Sequence, residues 1–368
     1  MIYIKTDSNE KLTLKIPAFL IGNGINYNTN ESLSWTQLLV KLLPKNYFEN
    51  NDDGLSPLIK KVIEKLQASD TKLFNEGGVS TEDNKKIQKF IIELLRKHED
   101  IFQRNMDGLS YPEIAELTLR INECSISVLK ENVANLTISE QENFLNMKHT
   151  YLLKLASENN IPILTTNYDQ SLINTRDLVF KNKNIHWIKN NRKEDKIYLT
   201  NAYLRPTPLK KSRALDVSKE FAIWYIHGIA APKSYINSIK ITNKDYANTI
   251  SRLKNSLIDM KKNKGADTWK DYYSWIKILM NNDLIIAGLG LETSEMDLRW
   301  ILVERYIYHL HLKQKDDNYK TPQTIYIYTK DLPNGTKIFF QKLGIKIIKK
   351  EYSEVFNFNQ YIKVSKTS

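Results

Sequence analysis

Four short apolar runs in this sequence each break off at glycines or polar side chains, and that pattern decides what class of fold the chain can adopt. "AFLI" ends in Gly22, Asn23, Gly24, Ile25 and Asn26, "IPIL" in Thr165, Thr166, Asn167, Tyr168 and Asp169, "FAIWYI" in His227 and Gly228, and "DLIIA" in Gly288, Leu289 and Gly290. Helical sequence lies between them. "SWTQLLVKLL" carries Ser34 and Gln37 in capping-box spacing, "EQENFLNMKHTYLLKLASENN" precedes the second run, and helical stretches near Tyr246 to Lys262 and Asp267 to Met280 precede the fourth. Helix followed by strand, repeated, is the grammar of a parallel sheet, and "LIIA" is apolar on both faces as a central parallel strand should be. The chain then alternates again: helix "SEMDLRWILVERYIYHL", strand "TIYIYT", helix "NGTKIFFQKLG", strand "IKIIK".

The expected fold is therefore α/β, a Rossmann-like, doubly wound and mainly parallel sheet. One block departs from the rhythm. From residue 52 to 145 helix follows helix, as in "PLIKKVIEKLQ", "NKKIQKFIIELLRK" and "YPEIAELTLRINECSISVLKENV", with no alternating strand pattern. It reads as an all-helical insertion within a domain made of residues 1–51 and 146–368. Further short strand candidates, "NIHWI" and "KIYLTNAYL", stand between basic loops.

At 368 residues and 41% hydrophobic content the chain can build a sizeable core, and its length suits two domains or one with an insertion. No apolar run approaches the roughly 18 residues of a membrane span, and "MIYIKTDSNE" lacks a signal-peptide stretch, so a cytoplasmic protein without membrane attachment is expected. Cys124 is the sole cysteine, which leaves neither an internal disulfide nor a multi-cysteine zinc site. The other histidines, His98, His149, His186, His309 and His311, show no metal-ligand spacing. The net charge is +12, but only ten of the 54 basic residues are Arg and the Lys are dispersed. That is a solvated Lys-rich surface rather than a face built to read phosphates, so specific nucleic-acid binding is not expected. "KKSR" at 210–213 and "KKNK" at 261–264 are the densest patches that an acidic partner would meet.

In a doubly wound sheet the carboxyl ends of the strands share one edge, where ligands bind. Two of the four ends here are glycine turns, which let a pyrophosphate approach the backbone. The other two present a carboxamide, a carboxylate and an imidazole. Each has a plainer reading as well: a Gly-x-Gly is often a tight turn, Asp169 suits the cap of the helix that follows, His227 suits a satisfied core position, and Asp297 suits a first helical turn for dipole reasons alone. Tyr168, Trp224, Tyr225 and Trp300 are expected to pack. Their recurrence at four successive ends favours a shared site for a dinucleotide with a reactive sugar.

In order along the chain, these ends resemble the sirtuin family. "LIGNGIN" resembles its Gly-Ala-Gly-Ile-Ser motif, "LTTNYD" its Thr-Gln-Asn-Ile-Asp motif, and "WYIHG" the strand end with the catalytic His-Gly. "SIKITNKDY" at 238–246 and "IIAGLGLETSEMD" at 285–297 resemble later elements of the bacterial sirtuin-like branch. Asn23 and Asn26 replace the family's Ala and Ser, and the four-cysteine zinc module has no counterpart in a chain with one cysteine. The resemblance implies the zinc-lacking NADases of bacterial anti-phage defence, including the type partnered with a HerA-like ATPase.

On that resemblance NAD is the substrate, no zinc is needed, and the products are nicotinamide and ADP-ribose. Asn167 orients the nicotinamide amide or a water, Asp169 anchors the amide or balances charge on the sugar, and His227 is the base for a ribose hydroxyl or the attacking water. Gly22, Asn23, Gly24, Asn26 and Thr166 would line the pyrophosphate and adjoining ribose; Gly288, Gly290, and Ser294 or Asp297 the adenosine side. A homo-oligomer, or a separate ATPase, helicase-like or phage-sensing protein, would restrain the activity, because an unrestrained NADase poisons its host. Two alternatives stay open: NAD-dependent deacylation or ADP-ribosyl transfer, and a non-catalytic NAD or ADP-ribose binding scaffold.

Overall fold

The structure is a computed structural model and describes residues 2–5, 11–26, 35–42, 111–141, 149–179, 221–230, 238–263, 269, 271–272, 274–291, 295–329, 331–349 and 362–364. Its strands are β1 (Ile2–Lys5), β2 (Lys11–Leu14), β3 (Pro17–Ile21), β4 (Ile163–Thr165), β5 (Ile223–Tyr225), β6 (Asp283–Ala287), β7 (Thr324–Tyr328), β8 (Lys346–Lys349) and β9 (Ile362–Val364). Its helices are α1 (Trp35–Val40), α2 (Tyr111–Asn122), α3 (Ile126–Gln141), α4 (Thr150–Glu158), α5 (Ser171–Val179), α6 (Asn243–Lys262), α7 (Trp275–Asn281), α8 (Met296–Lys315) and α9 (Asn334–Lys342). The chain divides into two compact units, residues 1–34 with 134–368, and residues 35–133.

In the first unit, β5-β4-β3-β6-β7-β8 form a six-stranded sheet whose neighbouring strands are all parallel. Counted within the sheet this is the order 3-2-1-4-5-6, the Rossmann arrangement, with its reversal of direction between β3 and β6. Alternation along the strands makes two cores. Phe19, Ile21, Ile163, Ile223, Ile285 and Ile325 face one side, with Leu152 and Leu153 of α4 and Ile4 and Leu12 of the smaller sheet. Leu20, Leu164, Trp224, Leu284, Ile286 and Tyr326 face the other, against Leu253 and Leu257 of α6, Ile276 and Leu279 of α7, Leu298 and Ile301 of α8, and Phe340 of α9. Each fully buried aliphatic side chain contributes about 1.5–3 kcal/mol by leaving water, so the covered faces fix which side of each strand looks where.

The helix starts follow local chemistry. Thr242 and Asp245 close a reciprocal capping box at α6, and Lys261 and Lys262 complement the dipole of its last turn. Ser274 caps α7 by accepting the Ile276 N–H, so that helix begins at Trp275 rather than near Asp267 as the sequence pattern suggested. The 111–133 stretch, continuous by periodicity, is broken between α2 and α3 where Glu123 adopts φ of 50°. In the second unit α2 is tied back to the segment after α1 by the Asn122 side chain donating to the Leu42 carbonyl at 3.2 Å. The expected strands at 184–188 and 196–204 and the helices quoted from 57–97 fall outside the described residues.

The sequence reading did not anticipate the three-stranded antiparallel sheet β2-β1-β9. Ile2 and Ile4 pair with Leu14 and Leu12 across the hairpin, and Ile4 also pairs with Ile362. Its period-two apolar pattern is only two residues deep per strand, and its third strand lies at the far end of the chain.

At the reversal point, Gly22 donates to the Ala287 carbonyl at 2.9 Å and Gly24 to the Gly288 carbonyl at 2.7 Å. A Cβ on Gly24 would fall 2.8 Å from Gly288 O, and one on Gly288, whose φ is 69°, would fall 2.6 Å from the Ile25 nitrogen. Gly288→Ala should therefore destabilise the fold by at least ~2 kcal/mol through steric overlap and left-handed strain. Gly335→Ala, in an exposed helical position with nothing within 4 Å of the added methyl, should stabilise it by about 0.5 kcal/mol. Denaturant unfolding of the two variants reads both signs.

Candidate functional site

The parallel register brings the four strand ends level. Ile21 pairs with Thr165 and Ala287, and Thr165 pairs with Tyr225. The ladder continues one step further, with Thr166 donating to the Ile21 carbonyl at 3.1 Å and Ile226 to the Thr165 carbonyl at 2.9 Å. Asn23, Asn167, His227 and Leu289 thus each stand two residues beyond paired ends, on neighbouring strands in the order β3, β4, β5 and, on the other side of β3, β6.

Asn167 is 1% exposed, and neither its Nδ2 nor its Oδ1 has a hydrogen-bond partner among the described residues. Leaving both ends of a carboxamide unmet in the interior costs about 1–3 kcal/mol per group. The backbone holds it there: Thr165 Oγ1 accepts the Asn167 N–H at 3.1 Å, which bends the chain at the strand end.

On one side of it lies a buried network. The Asn26 amide donates to Asn23 Oδ1 at 2.9 Å and to Asp169 Oδ2 at 3.0 Å, from the 3-10 turn Asn23–Asn26 that starts directly after Gly22. The other oxygen of Asp169 accepts the Ser171 N–H at 2.9 Å and the Ser171 hydroxyl. One oxygen of Asp169 thus secures the start of α5, as its plainer reading expected, and the other joins the residues after β3. His149, buried at the start of α4, is pushed down to about 4 by desolvation, against the pull of Asp169.

On the other side, His227 Nε2 lies 3.0 Å from Asp297 Oδ2, with the two residues 3% and 2% exposed. Asp297 does occupy the first turn of α8, but it turns inward to the imidazole. Burial works to raise its carboxyl, and the charge and hydrogen bond of His227, with Lys240 beyond, outweigh that and hold it below the usual carboxylate range. Lys240 is itself buried, its Nζ donating to the Ile226 carbonyl at 2.6 Å. The Lys240 carbonyl accepts from Tyr246 Oη at 3.1 Å and from the Tyr168 hydroxyl, so Tyr168 packs as expected and also braces this segment. Gly228, at φ 91°, lets Ser238 approach so closely that a Cβ would overlap the Ser238 carbonyl group.

The glycines behave differently from the expectation that they would wrap a pyrophosphate. The N–H groups of Gly22 and Gly24 are both engaged by the end of β6, and the close approach they permit is to Gly288. Gly288 is half-buried and Gly290 exposed. Beyond them Leu291 sits at φ 47°, pinned by its N–H to the Glu295 carboxylate and by Arg299 Nη1 donating to its carbonyl at 2.6 Å. Ser294 falls outside the described residues. Sequence reasoning did not bring Lys240, Tyr246 or His149 to the site, and it offered Asp297 either as a helix-start residue or, as an alternative to Ser294, on the adenosine side; a pairing across 70 positions leaves no local signal.

Two cavities bounded by described residues lie elsewhere. One of about 240 Å³ is lined by Arg305, His309 and Gln323 at the opposite edge of the sheet, and one of about 300 Å³ by Leu257, Ile258 and Trp300 between α6 and α8. In the first, Arg305 and His309 close on the protein itself: Arg305 donates to the carbonyls of Leu279, Met280 and Asn282, and His309 bridges Tyr319 Oη and the Met280 carbonyl; in the second, Lys261 pairs with Glu304. The level strand ends, with an unmet carboxamide, are the better functional candidate. Among the described residues no cluster of three or more His, Cys, Asp or Glu could hold a metal ion, and no helix is long and apolar enough to cross a membrane.

His149 and His309 both fall to about 4 from 6.5, each chiefly because burial disfavours the charged ring. Between those values the unfolded chain binds more protons than the folded one. Stability is therefore complete above pH 6.5 and declines as pH falls to 4, by on the order of 3 kcal/mol per residue. Thermal unfolding across that window should show the decline, and His149→Gln should roughly halve it, leaving the His309 share.

No family model and no curated protein matches the chain, so what it does must come from the chemistry of these residues.

Proposed function

We propose that this chain is an NAD hydrolase of the sirtuin-like kind, releasing nicotinamide and ADP-ribose. The observation that carries the reading is Asn167, a buried carboxamide with both ends unmet among the described residues, level with His227 on the next strand. Nicotinamide leaves a ribose as a neutral base when the C–N electron pair moves onto its ring nitrogen, and the sugar carbon becomes oxocarbenium-like. A water must be held against that carbon and lose a proton as its oxygen bonds. A carboxamide can accept from the water and donate to a ribose oxygen at once. An imidazole can take the proton.

The network from Asn26 to Asp169 then serves as a fixed wall on the β3 side. The contact of Gly22 and Gly24 with Gly288 brings β3 and β6 together at the reversal point, where open α/β sheets take nucleotides. Pyrophosphate donors must come from groups other than those two amides. In the cell the activity is that of an NAD-depleting effector in anti-phage defence, restrained until an oligomer or partner assembles it; the order of motifs supports this part of the proposal.

Purified protein, alone and with the product of a neighbouring gene, should release nicotinamide from NAD. Asn167→Ala and His227→Ala should each lower the rate by about 10²-fold or more. Turnover undiminished in both variants rejects the mechanism. Release that depends on an added acylated peptide or other acceptor would point to transfer, and tight NAD binding without release to a scaffold.

A further inference from the structure

We propose that Asp297 is a positioning residue: its carboxylate holds the His227 ring with Nε2 protonated and turned inward, so that Nδ1 is the atom left to accept a proton. This deepens the proposed reaction and rests on His227 being its base.

The assignment follows from what each atom can do. An ionised carboxylate only accepts hydrogen bonds, so the nitrogen 3.0 Å from Asp297 Oδ2 must carry the proton. A neutral imidazole has one proton to place. With Nε2 occupied, Nδ1 is the acceptor, and it makes no hydrogen bond to another described residue.

Several contacts keep the carboxylate ionised and still. Its second oxygen accepts the Leu298 N–H at 2.9 Å, in the first turn of a 20-residue helix whose dipole favours an anion there. Lys240 places a cation on the same side, its ammonium bonded to the carbonyl next to His227. The groups facing the ring are Asp297 from α8, Tyr246 from α6, 5.5 Å away edge-on, and Lys240, whose N–H donates to the His227 carbonyl at 2.9 Å. Tyr168 joins them through the Lys240 carbonyl. Burial of Asp297 with both oxygens engaged inside the protein runs against the role of adenosine ligand. The arrangement is that of a carboxylate setting the tautomer of a catalytic imidazole, whose loss in serine hydrolases costs about 10⁴ in rate with the geometry kept.

The test is imidazole ¹⁵N NMR of the full chain at a pH where the ring is neutral, with the His227 signals assigned by their loss in His227→Gln. The wild type should show Nε2 protonated and Nδ1 bare, and Asp297→Asn should move the ring toward the Nδ1–H form. A wild-type ring protonated at Nδ1, or an unchanged tautomer in Asp297→Asn, overturns the assignment. The wild-type spectrum decides even where the variant does not fold, and it needs no turnover. Absence of nicotinamide release would thus reject the proposed reaction and leave this assignment standing or falling on its own. Where NAD is cleaved, Asp297→Asn should lower kcat by about 10²-fold or more with KM changed less than about threefold, and Asp297→Glu should recover part of the loss. A rise in KM alone would return Asp297 to a binding role.

Discussion

The contact between the ends of β3 and β6 governs the rest of this structure. Two amides of one strand end bond to the carbonyls of the other, and no side chain larger than hydrogen fits between them. Because β3 and β6 are the first and fourth strands of the sheet, the contact sits where the chain reverses its direction of travel, and it sets the height of both ends. The ladder carries that height outward to Thr165 and Tyr225. Had β4 slipped by one residue against β5, its side chains would have changed face, and Asn167 and His227 would no longer stand abreast.

Two buried polar groups of different character flank Asn167. On the β3 side, Asn23, Asn26, Asp169 and Ser171 bond to one another and anchor a helix. On the β5 side, Lys240 and Asp297 carry opposite charges and His227 lies against the carboxylate. A low dielectric strengthens both sets and makes any vacancy in them expensive. Among the described residues, Asn167 is nonetheless left unmet between them, a cost of the kind native structures keep for a reason.

Much of this was legible in the sequence. β3, β4, β5 and β6 were each visible as apolar runs, because strands buried on both faces need no alternation to be recognised, and the break after each run was visible as glycine or polar residues. Asn167, Asp169 and His227 stood out for the same reason. What could not be read were the partners. Asp297 looks like an acidic residue at a helix start, which it is, and only three-dimensional packing shows that it faces a histidine 70 positions earlier. Lys240 lies in "SIKITN", where a buried lysine looks like any surface one. The antiparallel sheet escaped because β9 is joined to β1 across nearly the whole chain, and the interruption at Glu123 escaped because residues flanking it keep helical periodicity.

The two edges of the main sheet treat polar groups in opposite ways. At the amino edge, Asp283 at the start of β6 accepts from the backbone of Lys15, Ile16 and Gln323, tying β3, β6 and β7 together. Arg305 answers with bonds to three carbonyls. Gln323 there leaves one oxygen unmet while its amide donates to Thr13. At the carboxyl edge, among the described residues, a whole carboxamide is unmet and a histidine ring nitrogen makes no hydrogen bond while its other is held by a carboxylate. An edge whose charges all close on backbone is a clamp. The carboxyl edge holds its charges in place while keeping polar groups that no described residue meets, and on the proposed reading that is where substrate would enter, beyond the ends of β3, β4, β5 and β6.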